Sequence, residues 1–193
     1  VPDVGLNVRI LPGVKQAKPA DVMRGEETQI AGYLATYPGF DGVICLPGTH
    51  TKWVHVSAGE IVSFRTAMTG EVFALLSTQS VLRHSVGGGW DKGSFDAGVD
   101  QAISKPEALA ASLFSLRAES LLDGLNPDAA RARLSGLLIG AELAAMTQTV
   151  AATILNMDLK LHHHSLHSSV VMNILHCPCS FIVVIIFFLH SSL

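Results

Sequence analysis

Two adjacent carboxylates at a predicted helix start are the residues best suited to chemistry. Glu26 and Glu27 follow Arg24-Gly25 and precede apolar positions at helical spacing, Ile30 among them. A carboxylate so placed can accept a hydroxyl proton, and a guanidinium can bind a substrate carboxylate through paired hydrogen bonds. Glu26 is therefore the candidate general base, with Glu27 its alternate and, like Arg24, a candidate substrate contact. Alternatively, the glutamates only favour the positive helix end, by about 0.3–1 kcal/mol each.

A glycine-containing turn between two predicted strands is the second candidate. Gly48 and Thr49 could offer backbone N–H groups and a hydroxyl to phosphate oxygens. His50 and Lys52 are polar enough to face the same cleft, whereas Trp53 is interpreted as core. These four polar or small residues are the candidate cofactor-binding set. A Gly-Thr pair is also an ordinary hairpin turn, and that alternative stays open.

Three further segments carry weaker signals. Thr69 begins a strand-to-helix junction, where a helix N-terminus suits an anion or is simply capped. Arg117, on an otherwise apolar helix, could bind a substrate carboxylate or extend to solvent. Ser135, Gly136 and Gly140 form a small-residue helix face, which predicts close helix packing at an interdomain hinge. Thr69 and Arg117 join the candidate substrate contacts.

The elements expected to position these residues are a helix, then three strands, then more helices. The first helix is predicted over Gly25–Leu34 and stopped by Pro38-Gly39, after a strand at Val8–Leu11 and a polar loop at Lys15–Ala20. The second of the three strands alternates as a half-buried strand does. The three strands are predicted at 42–46, 52–56 and 61–68, and the later helices at 71–82, 95–103, 106–122 and 127–146.

Composition excludes some functional classes and divides the chain. A formal net charge of −3 gives no basic surface for nucleic acid. Cys45 lies in a predicted strand and no apolar leader precedes it, which favours a reduced, cytoplasmic protein. From Asn156 onward only Asp158 and Lys160 carry fixed charge. Two sequences of different character therefore join near residue 150.

Residues 151–193 form a histidine-rich, apolar tail with no periodicity expected to pack on the rest. Its apolar run Phe181–Leu189 is far shorter than the roughly 20 residues of a membrane span. The histidines with Cys177 and Cys179 lack the spacing of common zinc sites. The tail is interpreted as non-homologous translated sequence, with membrane attachment as the second interpretation.

Five motifs in order resemble the 2-dehydro-3-deoxygalactonokinase family. Members are two-domain kinases of the actin-like superfamily that use ATP and Mg²⁺ to phosphorylate the 6-hydroxyl of 2-dehydro-3-deoxy-D-galactonate, in galactonate catabolism. In related sugar kinases the helix start aligned with Gly25-Glu26 presents the general base. The motifs are VMRGEETQ (22–29), LPGTHTKWV (46–54), FRTAMTGEVFALL (64–76), LFSLRAESLL (113–122) and SGLLIGAEL (135–143).

The resemblance implies an α/β fold of the RNase H-like type, an incomplete mixed sheet with flanking helices. Residues 1–40 would end the N-terminal kinase domain and 41–150 would begin the C-terminal one. The family's Mg²⁺-binding Asp-Trp-Gly motif and its adenosine-binding turn have no match here, so no metal ligand is assigned and this chain is expected to be inactive alone. The alternatives are a non-catalytic remnant or an actin-like nucleotide-binding assembly module. A small-molecule sugar acid is the expected partner, and a homo-oligomer is compatible with the sequence.

Overall fold

The computed structural model describes residues 12–158, 173–176 and 183–188, with side chains described over 12–147. The fold is a mixed α/β arrangement of two antiparallel sheets and five α-helices within those ranges. The predicted strand at Val8–Leu11 lies outside them. The strands are β1 Val14–Ala17, β2 Ala20–Met23, β3 Gly42–Leu46, β4 Thr51–Ser57, β5 Glu60–Ala67, β6 Asn173–His176 and β7 Val183–Phe188; the helices are α1 Glu26–Thr36, α2 Thr69–Thr78, α3 Lys92–Ser104, α4 Leu109–Leu122 and α5 Pro127–Asp158.

A hairpin replaces the loop predicted at Lys15–Ala20, so that prediction was wrong. Strands β1 and β2 pair with each other and are attached to β5 by side chains. Gln16 binds both backbone groups of Phe64, accepting from its N–H at 2.9 Å and donating to its carbonyl at 3.2 Å. These contacts are remote in sequence, which is why local polarity alone indicated a loop.

The larger sheet has strand order β5-β4-β3-β7-β6, and every neighbouring pair is antiparallel. The prediction of a mixed sheet was therefore wrong for the described strands. Strands β3, β4 and β5 match the three predicted strands to within one residue at each end. Residues 183–188 pair with β3, so the prediction that nothing in the tail packs on the rest was wrong for this segment. A continuous run of β-branched and aromatic residues is typical of a strand. The histidines and cysteines of the tail lie outside the described residues.

Both faces of the sheet are covered at β3 and β4. On one face α1 and the hairpin pack against Val54 and Val56, which are fully buried. On the other face Leu143 and Met146 of α5 pack against Trp53. Strand β4 is therefore buried on both sides, and the half-buried interpretation of its alternation was wrong. The hydrophobic core beneath α1 contains residues from both sides of the predicted domain boundary at residue 40. The boundary itself stays a prediction.

Helix α5 begins at a strong start signal and continues past the predicted end at Met146. Asn126 Oδ1 accepts the N–H of Asp128 at 2.8 Å, and Pro127 occupies the first helical position. Its glycines lie against α3: a Cβ at Gly136 would meet Val99 N at 3.0 Å and overlap the carbonyl of Phe95. The predicted close helix approach is confirmed, with α3 as the neighbour. Its place at an interdomain hinge stays a prediction. None of the helices in the described ranges has the length and apolar character that a membrane crossing requires.

Candidate active site

The acidic helix start is held by its own carboxylates. Gly25 adopts a left-handed φ of 112°, which turns the chain into α1 at Glu26. Glu27 Oε2 accepts the N–H of Gly25 at 2.7 Å, and Glu26 Oε2 accepts that of Arg24 at 3.1 Å. Arg24 itself is exposed. Both carboxylates thus bind the backbone just before α1.

The turn after β3 lies directly on the N-terminus of α2. A Cβ at Gly70 would meet the carbonyl oxygen of Gly48 at 2.5 Å and Thr49 Cα at 2.9 Å, so the absence of a side chain permits the contact. The N–H of Glu71 donates to the carbonyl of Thr49 at 3.0 Å. An exposed glycine turn beside the positive end of a helix is a suitable place for a phosphate group.

His50 extends from this turn to the same helix. Its Nε2 lies 2.5 Å from Glu71 Oε2, and both side chains are partly exposed. Sequence reasoning named the Thr69-Gly70-Glu71 junction but not this pair. The contact ties the turn to α2 and places a carboxylate beside the expected phosphate position.

Lys52 is buried within the fold, although the sequence placed it with the nucleotide. Its side chain is 6% exposed, and its Nζ donates to the carbonyl of Val22 and to Thr66 Oγ1, each at 2.8 Å. Sequence reasoning considered neither of these partners. Strand parity could have placed Lys52, because it shares a face with Val54, which belongs to the core.

A cavity of about 280 Å³ opens below the turn, between the sheet, α2 and α5. Gly48 and Thr69 line it, together with Trp53 and Glu142. Trp53 Nε1 donates to Glu142 Oε1 at 2.6 Å, which keeps that carboxylate inside the cavity. Burial, and secondarily the charge of Glu142, raise the pKa of the Cys45 thiol well above its usual range. Cys45 is thus an inert thiol in the cavity wall.

Arg117 lies elsewhere, in the helical layer. Its Nη1 donates to Ser85 Oγ at 3.3 Å, next to the buried Leu116. Its predicted contact with a substrate carboxylate stays a prediction. Gly48, Thr49, His50 and Thr69 meet at the turn and the helix N-terminus, whereas Arg24, Glu26 and Glu27 form a separate group. Among the described residues, no cluster of three or more histidine, cysteine, aspartate or glutamate side chains could hold a metal ion.

His55, on the sheet face toward α5, provides a pH test of the fold. It is 7% exposed, and neither ring nitrogen has a hydrogen-bond partner among the described residues. Burial lowers the His55 pKa, and the charge of Asp41 opposes this only in part. In the unfolded chain the pKa of this histidine is about 6.5. The unfolded chain therefore binds the proton more tightly than the folded chain does.

We therefore expect the free energy of unfolding to be fully maintained above about pH 6.5, to fall as the pH drops from there to the folded pKa of His55, and to level off below it. One proton corresponds to a slope of at most about 1.4 kcal/mol per pH unit. The free energy of unfolding, measured with urea at several pH values below about 6.5, should depend less on pH in His55→Leu than in the parent chain. His84→Leu, at an exposed histidine, is the control. An unchanged slope in His55→Leu would assign the pH dependence to other groups.

The chain is similar to members of one enzyme family. A family model described as 2-keto-3-deoxy-galactonokinase matches residues 2–162, past the predicted start of the tail. A probable 2-dehydro-3-deoxygalactonokinase of Rhizobium meliloti (strain 1021) is 42% identical over 150 residues, which cover 75% of this chain and 49% of the relative. The 2-dehydro-3-deoxygalactonokinase of Escherichia coli (strain K12) is 40% identical over 155 residues, 77% and 51% respectively.

A crystal structure from Sinorhizobium meliloti, of a protein assigned as a 2-dehydro-3-deoxygalactonokinase, superposes with a TM-score of 0.71 at 40% identity. The match covers 75% of this chain and 50% of that one. The chain therefore spans about half the length of the relatives it matches.

Proposed function

Because the chain belongs to the 2-keto-3-deoxy-galactonokinase family, we propose that it forms part of an ATP-dependent kinase acting on the 6-hydroxyl of 2-dehydro-3-deoxy-D-galactonate. The observation that carries the proposal is the Gly48-Thr49 turn packed on the N-terminus of α2 at Gly70. The exposed turn lies there beside the positive end of the helix dipole, which favours a phosphate group. We place the activity in the cytoplasm and the larger sheet in an RNase H-like layer, which its three-strand antiparallel opening supports.

The proposed reaction is an in-line transfer. The 6-hydroxyl oxygen of the sugar acid attacks the γ-phosphorus of ATP, the bond from that phosphorus to the β,γ-bridging oxygen breaks, and ADP leaves. Glu26 accepts the hydroxyl proton, and Arg24 and Glu27 bind the sugar acid. Gly48 and Thr49 meet the phosphates, with His50 and Thr69 at the rim of the same turn. Mg²⁺ would arrive with the nucleotide, because Mg²⁺ sites usually combine one or two carboxylates with substrate phosphates.

The function can be tested in a chimera in which residues 12–147 replace the matching segment of the Rhizobium meliloti relative. We expect ADP release that depends on 2-dehydro-3-deoxygalactonate. A correctly folded chimera that releases no ADP with this sugar acid, while the unmodified relative does, would contradict the proposed function. The 193-residue chain alone is the comparison that shows how much the rest of a kinase adds.

Gly48→Val in this chimera should weaken ATP binding while leaving the fold and sugar-acid binding intact. A Cβ at Gly48 would meet only His50 backbone atoms, at 3.8 Å or more, so the fold can accommodate the side chain. A branched side chain would nevertheless block close approach of a phosphate to the backbone. We expect the Kd of ATP to rise by about tenfold or more, since one lost charge-assisted hydrogen bond is worth about 1.5–3 kcal/mol. Calorimetry with each ligand measures this, and equal losses for both ligands would make the turn structural.

A further inference from the structure

A buried charged bridge joins the hairpin to the large sheet. The ammonium of Lys52 binds the carbonyl of Val22 and the hydroxyl of Thr66. Thr66 Oγ1 donates in turn to Asp21 Oδ1 at 2.6 Å, and the N–H of Thr66 donates to Asp21 Oδ2 at 2.8 Å. We call Lys52, Thr66, Asp21 and the carbonyl of Val22 the Lys52 bridge. Through Thr66 it connects the buried Lys52 ammonium with the half-buried Asp21 carboxylate, which offsets part of the cost of burying the cation.

The bridge lies between the two halves of the candidate site. Lys52 follows Thr51, which lines the cavity below the Gly48 turn. Val22, its other end, is in β2, four residues before Glu26. Between them, Met23 is buried in the core. The Lys52 side chain therefore reaches from β4, which follows the Gly48 turn, to β2, which precedes the acidic start of α1.

The hairpin depends on such contacts for its place. Strands β1 and β2 form a sheet of their own, so no backbone ladder joins them to β5. Gln16 and the Lys52 bridge supply directional bonds instead. An apolar side chain of similar volume could pack as stably as a buried ion, but it would not fix one position of β2. The contacts of the Lys52 ammonium therefore favour a role in fixing the position of β2 on the large sheet.

We propose that Lys52 is a positioning residue, whose buried ammonium holds the end of β2, and through it the acidic start of α1, in register with the Gly48-Thr49 turn. Its catalytic meaning rests on the proposed function, since it would set the distance between the base and the phosphates. It acts through Val22 and Thr66 and does not itself bind phosphate.

Hydrogen–deuterium exchange of the 193-residue chain, read by mass spectrometry, tests this role. In Lys52→Met we expect the segment 20–28 to exchange several-fold faster, because opening of this segment becomes easier. The N–H of Ser94, which Asp91 accepts at 2.8 Å at the start of α3, serves as the internal reference and should not change. Faster exchange throughout the chain, Ser94 included, would show general destabilisation and overturn the proposal.

Thr66 offers a matched pair of variants that leave Lys52 in place. Thr66→Val keeps the shape but removes the bridging hydroxyl, and should reproduce the faster exchange at 20–28. Thr66→Ser keeps the hydroxyl and should behave as the parent chain. If Lys52→Met fails to fold, this pair decides alone, and identical exchange in the two variants would overturn the proposal.

ATP binding, measured by calorimetry on the same proteins, separates the proposal from a phosphate-binding lysine. Loss of ATP binding in Lys52→Met with unchanged exchange at 20–28 would make Lys52 a phosphate ligand and overturn the positioning role. The expected exchange pattern in a chain that binds no ATP would support the positioning role. In that case the proposed kinase function, and not the Lys52 bridge, would be in question.

Discussion

Replacing Glu26 with glutamine in the chimera is expected to lower kcat by about 10²-fold or more, the usual loss when a general base is removed. The amide oxygen of glutamine can still accept the N–H of Arg24, the bond that Glu26 makes at 3.1 Å. The helix start should therefore keep its shape, and the Kd of the sugar acid should change little. Steady-state kinetics together with calorimetry separates the two effects.

Glu27→Gln is the matched control, because Glu27 makes the equivalent bond to Gly25 at 2.7 Å. Its kcat should stay within about tenfold of the parent value, since it removes no proton acceptor from the reaction. A Glu26→Gln chimera with nearly normal kcat would remove Glu26 from the mechanism. The reverse ranking of the two variants would transfer the role of base to Glu27.

Gly136→Leu should give the largest loss of stability. A side chain there would overlap the carbonyl of Phe95 and force α3 and α5 apart. Overpacking usually costs about 1–3 kcal/mol, and rigid helix backbone on the facing side predicts the upper end. For a chain of this size, that corresponds to a Tm lower by roughly 6–12 °C.

Gly32→Leu is the matched control for this substitution. Gly32 also lies within a helix, but a Cβ there has no atom within 4 Å, so it should be neutral or stabilising. Thermal unfolding of the two variants and the parent gives the comparison. Equal Tm values for Gly136→Leu and the parent would mean that the two helices can separate without cost.

The strands and helices were largely predictable because local signals mark their ends. Pro38-Gly39 precedes β3, and the exposed Ala58-Gly59 turn separates β4 from β5. The hairpin was not predictable in this way, because what holds it is a pair of polar side chains, Gln16 and Asp21, bound to a strand more than 40 residues away. Local polarity cannot distinguish such residues from a solvated loop.

The candidate site divides in the same manner. Gly48, Thr49 and Thr69 could be selected by residue type. The contact between their turn and the N-terminus of α2 depends on tertiary structure and could not be predicted from residue type. For Lys52, residue type was misleading. Its charge suggested a contact with the nucleotide, whereas its position in β4 places its side chain in the core. Residue type selected exposed residues that the fold brings together, and misjudged the surroundings of the buried Lys52. The chemistry assigned to these residues stays a prediction.

The contrast between the chain's two tryptophans makes the protein its own optical reporter. Trp53 is 6% exposed and bound to a carboxylate in the cavity wall, whereas Trp90 is 55% exposed near Phe95. Emission from the first should be blue-shifted and shielded from aqueous quenchers, while emission from the second should be red-shifted and readily quenched. A molecule entering the cavity would change only the shielded component, so occupancy could be followed by fluorescence without attaching a dye.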